Sequence, residues 1–267
     1  MAFVLTYSGK TLKPPLKYAG GKRWLVPHLR PIWEKCSSRR LVEPFCGGLG
    51  ITMGLLPERA LLNDLNPHLM HFYGWLKHGL NISIRMANEE ELYYTHRDRF
   101  NELLRVGQAD SAEAAALFYY LNRTCFNGLC RFNNKGEFNV PFGRYKRINY
   151  QFDFSVYKGT FARWDFCACD FASLELQPDD FIYADPPYDM GFTRYVKEAF
   201  SWEDQERTAA WLTQHPGPVL VSNQATPRIV ELYKKLGYSL TFLEGPRRIN
   251  STGDRSPVQE VIARRNI

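Results

Sequence analysis

The chain lacks any long uninterrupted apolar run. Of its 267 residues 45% are hydrophobic, yet no stretch approaches the ~20 consecutive apolar residues that a transmembrane helix requires. Residues 1–7 are too short and too polar-flanked for a secretory signal. We therefore expect a cytoplasmic protein without a membrane partner, folded as one large domain with an insertion or as two modest domains.

Paired cysteines are also missing. The six cysteines form no C-x-x-C pair, and the histidines do not cluster with them. Cys167 and Cys169 are spaced like half of a metal site, but no second pair completes it, and we interpret both as packing residues. The sequence predicts no metal, and unpaired thiols fit a reducing compartment.

Acidic residues are nearly absent from residues 122–147. This segment carries six cations against the single acid Glu137, with aromatic residues interleaved, in a chain of net charge +6. Its Asn, Gly and Pro residues favour a hairpin over a long helix. Cations bind phosphate, arginine can read guanine, and an exposed aromatic ring can fill the gap left by an extruded base. A solvated basic face over a buried aromatic core is the alternative.

Residues 185–188 read Asp-Pro-Pro-Tyr and complete a predicted strand over 179–188. Asp185 can accept one N–H bond, the backbone carbonyl of Pro186 can accept another, and Tyr188 can stack on a ring. Two acceptors at tetrahedral angles favour the rehybridised, nucleophilic form of an exocyclic amine. The pattern favours N-methylation of a base, whereas a strand ending in an ordinary Pro-Pro turn is the alternative.

A second strand-and-turn pattern lies upstream. Residues 41–50 predict a short strand that runs into a glycine-rich turn, followed by a helix from about residues 51–53. The third glycine of the dinucleotide fingerprint is missing. Residues 61–66 predict another strand, and its Asp64 has the spacing at which doubly wound folds place a carboxylate against a ribose hydroxyl. A cap or turn acid is the alternative for Asp64.

Together these motifs resemble those of the Dam-type DNA adenine-N6 methyltransferases of the alpha group. In that family a K-[WY]-x-G-G-K segment, a P-F-x-G-x-G turn, a target-recognition region and D-P-P-Y follow in this order. Residues 16–22, 41–50, 122–147 and 185–188 supply all four over nearly the whole chain, although Cys46 and Leu49 in the turn are not diagnostic.

The resemblance implies an α/β fold with a doubly wound, mainly parallel sheet of the Rossmann-like class I methyltransferase type. Residues 1–75 and 151–267 would form the catalytic domain, and residues 76–150 a helical and hairpin target-recognition insertion. It also implies S-adenosyl-L-methionine as cofactor, double-stranded DNA as partner, no obligate protein partner, and a bacterial or phage-encoded enzyme.

The resemblance assigns site residues in three groups. The catalytic group comprises Asp185, Pro186, Pro187 and Tyr188. The cofactor group comprises Tyr18, Lys22, Glu43, Phe45, Gly47, Gly48, Gly50, Asp64, Asp170, Phe171 and Asp185. The DNA-binding group comprises Lys17, Arg123, Phe126, Asn127, Arg131, Pro141 and Arg144.

Within the DNA-binding group, Phe126 is the expected wedge beside the target base, and Arg131 and Arg144 are the expected base readers. Asn127 and Pro141 would support them, and Lys17 would touch an outer base. Residues 122–131 and 136–145 resemble the segments that read GATC in the family. The resemblance therefore makes GATC the first candidate site.

Other substrates fit the same machinery. Cytosine N4, or adenine in structured RNA, would also satisfy the slot at residues 185–188. A catalytically silent DNA-binding relative is a further alternative, against which the retained Asp185 and Lys22 argue. A small-molecule or protein methyltransferase would have no use for the basic hairpin. Residues 191–199 are either a lid over the base pocket or a plain surface loop.

Overall fold

The structure is a computed structural model that describes residues 12–189, 200–245 and 258–267. Within these residues lie seven strands: β1 (Leu41–Glu43), β2 (Ala60–Asn63), β3 (Trp164–Cys167), β4 (Phe181–Ala184), β5 (Val219–Gln224), β6 (Ser239–Gly245) and β7 (Val258–Arg265). The described helices are α1 (Val26–Trp33), α2 (Thr52–Leu55), α3 (Pro67–His78), α4 (Glu90–Arg105), α5 (Ala112–Thr124), α6 (Ser155–Phe161), α7 (Trp202–Thr213) and α8 (Pro227–Lys235).

The strands form one sheet in the order β3-β2-β1-β4-β5-β7-β6. The strands from β3 through β5 pair in parallel, and β7 runs antiparallel to both β5 and β6. The chain winds outward from β1 in one direction and from β4 in the other, so the order reverses between these two strands. This confirms the expected doubly wound, mainly parallel sheet, in which ligands bind at the carboxyl edge near the reversal.

The central strands are buried on both faces, as their continuous apolar sequences require. Along β4, Phe181 and Tyr183 pack into one hydrophobic cluster, and Ile182 and Ala184 pack into another. Because successive strand side chains point to opposite faces, the two clusters lie on the two sides of the sheet. The carboxyl end of β4 is therefore held rigidly between two packed layers.

Most predicted elements are confirmed, with differences at their ends. Strand β4 is shorter than predicted, because Pro186 and Pro187 carry no N–H for a ladder and Asp180 is engaged in its own turn, where its carboxylate accepts from the Gln177 N–H at 2.7 Å. The predicted strand over residues 61–66 ends at Asn63, where the chain turns.

Serine residues cap two of the helices. Ser111 accepts from the Ala114 N–H at 3.1 Å to cap α5, and Ser201 forms a capping box with Asp204 at α7. Strands β6 and β7 form an antiparallel pair at one edge of the sheet.

The segment 76–150 contains α4, α5 and the hairpin. The hairpin is held by two antiparallel bridges, Phe132↔Phe138 and Cys125↔Phe142, rather than by long strands. Phe138 of the hairpin belongs to the same hydrophobic cluster as Phe72, and Phe132 and Phe142 pack against it. The domain division at residues 75 and 150 stays a prediction. The predicted lid, the loop over residues 249–257 and the basic pair Arg247 and Arg248 lie outside the described residues.

None of the helices in the described part of the chain has the length and apolar content to cross a bilayer.

Candidate active site

Asp185 lies directly after β4, and one of its two carboxylate oxygens contacts neighbouring side chains. Its Oδ1 accepts from the Ser222 hydroxyl at 2.9 Å and lies 3.5 Å from the Lys22 ammonium. Ser222 comes from the neighbouring strand β5, and its Oγ lies 2.7 Å from the Tyr183 hydroxyl. Within the described residues nothing donates to Oδ2 of Asp185, which leaves that oxygen available as an acceptor.

The backbone carbonyls of Pro186 and Pro187 differ in their hydrogen bonding. The side chain of Gln205 donates from Nε2 to the Pro187 carbonyl at 2.7 Å, and its Oε1 accepts from Asn223 at 3.0 Å. Gln205 and Asn223 are both buried, so this chain of bonds fixes the turn. The Pro186 carbonyl accepts no hydrogen bond from any described residue, so it remains as a second available acceptor next to Asp185 in the chain.

A buried cluster of charges lies beside this turn. The Lys22 ammonium is 2.6 Å from Oε2 of Glu260, and the Tyr188 hydroxyl donates to Oε1 of the same carboxylate. The ammonium also lies 4.6 Å from the centroid of the Tyr188 ring. Lys22 therefore lies among Asp185, Glu260 and the ring of Tyr188.

Burial shifts the titration of the acids in this region. Desolvation raises the pKa of Asp185 to about 6, although the Lys22 charge and the Ser222 hydrogen bond lower it. Desolvation also raises the pKa of Glu43 to about 8, partly offset by the hydroxyl of Thr52, which donates to it. At neutral pH Asp185 is therefore mostly ionised and Glu43 mostly protonated. Desolvation and the Glu260 charge raise the pKa of Tyr188, so its phenol keeps its proton.

The glycine turn is packed against Tyr18. A Cβ on Gly48 would lie 2.4 Å from the Tyr18 Cβ, and one on Gly47 would lie 2.7 Å from Tyr18 Cε1. Gly47 also has a φ of +44°, which favours glycine. The close approach that these glycines allow is thus to Tyr18 itself. Leu49 takes a left-handed φ of +59° and is fully buried, although it is not glycine.

Asp64 links the glycine turn to the end of β2. Its Oδ2 accepts from the Gly47 N–H at 3.1 Å, and its Oδ1 accepts from the Asn66 N–H at 2.9 Å. Desolvation raises the pKa of Asp64, and these two bonds lower it. Gly50, also predicted for the cofactor, lies against the backbone of Lys22, whose N would be 3.6 Å from a Cβ at position 50.

Aromatic rings and an acid meet at the ends of β1 and β3. The ring centroids of Phe45 and Phe171 are 5.4 Å apart. Arg207 of α7 pairs with Asp170 through two bonds of 2.8 and 2.7 Å and lies 4.1 Å from the Phe171 centroid. The Arg207 bonds lower the pKa of Asp170. The carboxylate keeps lone pairs for further donors after this pairing.

The N-terminal segment is tied to the basic hairpin by Asn122. The buried Asn122 amide accepts from the Lys17 N–H at 2.9 Å and donates to the Lys17 carbonyl at 2.8 Å. The Lys17 ammonium lies 3.7 Å from the Tyr145 ring centroid and donates to the Arg123 carbonyl at 3.1 Å. Lys17 therefore belongs to the same surface as the hairpin.

Phe126 is 49% exposed next to the Cys125↔Phe142 bridge, and its N–H donates to the Pro141 carbonyl at 2.9 Å. Asn127 follows with a left-handed φ of +54°. The two predicted base readers are exposed and bond to different partners, Arg131 to Asn139 at 2.9 Å and Arg144 to Glu90 at 2.9 Å. Such exposed pairs are weak and exchange readily for phosphate or base acceptors.

Five residues near the predicted site were missed by sequence reasoning. They share a supporting role, because each one holds a predicted site residue from another element: Asn122, Gln205, Arg207, Ser222 and Glu260. The sequence holds one signal for Ser222, since this polar residue directly follows the apolar run 219–221. The other four residues meet their partners only in the folded chain, so their sequence positions did not indicate the contact.

Across residues 12–189, 200–245 and 258–267, no three His, Cys, Asp or Glu side chains converge as a metal site would need.

Comparison with known proteins adds a family match. The family model described as D12 class N6 adenine-specific DNA methyltransferase matches residues 18–247. The DNA adenine methylase of Vibrio cholerae is 35% identical over 93% of this chain and 94% of its own length. The DNA adenine methylase of Escherichia coli K12 is 34% identical over 93% of this chain and 93% of its own length. The DNA N-6-adenine-methyltransferase of Escherichia phage P1 is 34% identical over 89% of this chain, which spans 33% of that protein's length.

Proposed function

We propose that this chain, which belongs to the D12 class N6 adenine-specific DNA methyltransferases, uses S-adenosyl-L-methionine to methylate N6 of an adenine extruded from duplex DNA. The target adenine lies within a short site, for which GATC is the first candidate. The observation that carries the proposal is the pair of acceptors after β4. Oδ2 of Asp185 and the Pro186 carbonyl have no donor among the described residues, whereas Oδ1 and the Pro187 carbonyl are both engaged.

These two acceptors match the two N–H groups of an adenine N6 amine. Accepting both hydrogens favours the form in which the nitrogen lone pair is localised and nucleophilic. Ionised Asp185 is the stronger acceptor, and its pKa of about 6 leaves it mostly ionised in neutral solution. Tyr188 presents its ring to the base. Because the amine itself attacks, no covalent intermediate with the enzyme forms.

The residues at the carboxyl edge fit an adenosyl cofactor. When bound, S-adenosyl-L-methionine supplies an electrophilic methyl group on a sulfonium sulfur. The rings of Phe45 and Phe171 suit a purine, and the carboxylates of Asp64 and Asp170 suit hydroxyl and amine donors. The remaining cofactor residues line the turn between β1 and α2 and the segment before α1: Tyr18, Lys22, Glu43, Gly47, Gly48 and Gly50.

The basic hairpin is the proposed DNA surface. The 49% exposure of Phe126 makes it available to enter the stack when a base leaves. Lys17 and Arg123 lie beside it, and Arg131 and Arg144 offer guanidinium groups for guanine O6 and N7. Asn127 and Pro141 lie next to Phe126 in this surface and support the base readers.

The test uses two duplexes of equal composition, one with GATC and one with GTAC at the same place. Purified protein and S-adenosyl-L-methionine are incubated with each duplex, and the nucleosides are identified by mass spectrometry. We expect N6-methyldeoxyadenosine in the GATC duplex alone. N4-methyldeoxycytidine would instead assign the reaction to cytosine N4, and a structured RNA incubated in parallel and methylated in place of both duplexes would assign it to RNA adenine. Methylation of both duplexes alike would keep the reaction and reject the site.

The matched variant is Asp185→Ala. It removes an acceptor from the amine slot and leaves the hairpin untouched, so turnover should be abolished while DNA binding is retained. Loss of both together would contradict this role for Asp185.

A further inference from the structure

Glu260 is a buried acid with two separate partners at the proposed site. It is 4% exposed, its Oε2 lies 2.6 Å from the Lys22 ammonium, and its Oε1 accepts from the Tyr188 hydroxyl. A buried carboxylate is costly unless it is paired and hydrogen-bonded. Both of its oxygens are satisfied, and both of its partners are residues of the proposed site.

The sheet topology explains how Glu260 reaches this place. Strand β7 runs antiparallel to β5, and Glu260 pairs with Gln224, the last residue of β5. The start of β7 therefore lies at the edge where the parallel strands end. Asp185 leaves β4 at that same edge, so an acid early in β7 meets the turn that follows β4.

Glu260 restrains the ring of Tyr188. The phenol oxygen is bonded to Glu260, and the Lys22 ammonium lies 4.6 Å from the ring centroid. A hydroxyl held by Glu260 keeps the ring from swinging about the Cα–Cβ bond, and the nearby Lys22 ammonium adds an attraction to the ring. A ring that stacks on a reacting base must be held closely, because a displacement of about 1 Å can cost 100-fold in rate.

Glu260 also competes with Asp185 for the positive charge of Lys22. The ammonium is 2.6 Å from Glu260 and 3.5 Å from Asp185. Lys22 favours the ionised form of Asp185, and the negative charge of Glu260 opposes it. Among the residues that the structure describes, the other titratable groups that interact with Asp185 are Glu43 and the phenols of Tyr183, Tyr188 and Tyr233.

We propose that Glu260 is a positioning residue for the methyl transfer, which fixes the ring of Tyr188 and shares the Lys22 charge with Asp185. The inference rests on the proposed function for the reaction that it serves. Glu260 touches neither reacting group and acts through its two partners.

The variant is Glu260→Gln, which keeps the shape and removes the negative charge. Its control is Glu244→Gln, the same change at an exposed glutamate of β6. We expect kcat to fall about 10- to 100-fold with little change in KM for DNA. The acidic limb of the pH profile should move about one pH unit lower, because Lys22 then balances Asp185 alone. Wild-type kcat with an unmoved limb would overturn the proposal.

A second variant separates the two effects. Tyr188→Phe keeps the ring and removes the hydroxyl, so it should reproduce the fall in kcat and leave the acidic limb nearer to that of the wild type. The double variant should be no slower than Glu260→Gln alone. Independent, multiplying losses would mean that Glu260 does not act through Tyr188.

A measurement without DNA or cofactor separates this inference from the proposed function. Carboxyl-carbon NMR of aspartate-labelled protein, with Asp185→Asn to assign the signal, reports the pKa of Asp185 directly. Glu260→Gln should lower that pKa, and an unchanged value would overturn the charge-sharing role. If the wild-type protein methylates no DNA, the proposed function fails, and the NMR result still decides the role of Glu260 toward Asp185.

Discussion

Replacing Ser222 by alanine tests whether Asp185 works as an ionised acceptor. The Ser222 hydroxyl donates its single proton to Oδ1 of Asp185 at 2.9 Å, so Tyr183 is the donor in its 2.7 Å contact with Ser222. This second donor strengthens the first bond. Ser222→Ala removes the donor to the carboxylate, which destabilises the ionised form and raises the pKa of Asp185.

The size of the effect follows from the strength of that bond. A hydrogen bond to a charged group contributes about 1.5–3 kcal/mol, and one pKa unit corresponds to about 1.4 kcal/mol. We take the lower end, because Tyr183 lies within reach of the space left by the hydroxyl. The pKa of Asp185 then rises from about 6 by about one unit. If the methylation rate is proportional to the ionised fraction of Asp185, the variant is about fivefold slower than the wild type near pH 6. Near pH 8 it is slower by only about 10%.

The assay is single-turnover methylation of a short duplex, measured from about pH 5 to about pH 9. Ser239→Ala, at an exposed serine of β6, is the control and should follow the wild-type profile. A Ser222→Ala profile whose acidic limb stays in place would refute the reasoning. A loss that is equal at every pH would also refute it, because it would indicate a structural effect.

Two further variants test the glycine turn and the hairpin. Gly48→Ala would place a Cβ 2.4 Å from that of Tyr18, so we expect a loss of about 1–3 kcal/mol in unfolding free energy and weaker cofactor binding by calorimetry. Gly159→Ala on α6, with nothing within 4 Å, should show neither effect, and equal behaviour of the two would contradict the packing argument. Arg131→Ala should relax selectivity by about 1–3 kcal/mol at one base pair. Lys135→Ala should weaken DNA binding alike at all sequences, and unchanged discrimination by Arg131→Ala would contradict its role.

Residues within continuous motifs were predictable from the sequence. Asp185 and the two prolines end an apolar strand, and the acid and aromatic types at that end define what the slot can hold. The doubly wound fold was implied by the family resemblance, and the parallel pairing of β1 to β5 confirms it. The resemblance of four motifs in the same order then assigned roles that spacing alone left open.

The residues that support the site could not be predicted in the same way. Gln205 and Glu260 meet the segment 185–188 from α7 and β7, and only the folded topology brings them there. The structure places Tyr18 against Gly47 and Gly48, a contact that the sequence did not indicate, and the cofactor role of these residues stays a prediction. A glycine in the sequence indicates that another group approaches the backbone closely. Which group approaches depends on how distant segments pack in the fold.

The most direct test of the central claim is expression of the chain in a host that lacks adenine methylation, followed by single-molecule sequencing of the host DNA. The account predicts N6-methyladenine confined to one short motif, and no such mark when the Asp185→Ala variant is expressed instead. Soluble wild-type protein that binds the cofactor and leaves every adenine unmethylated would contradict it.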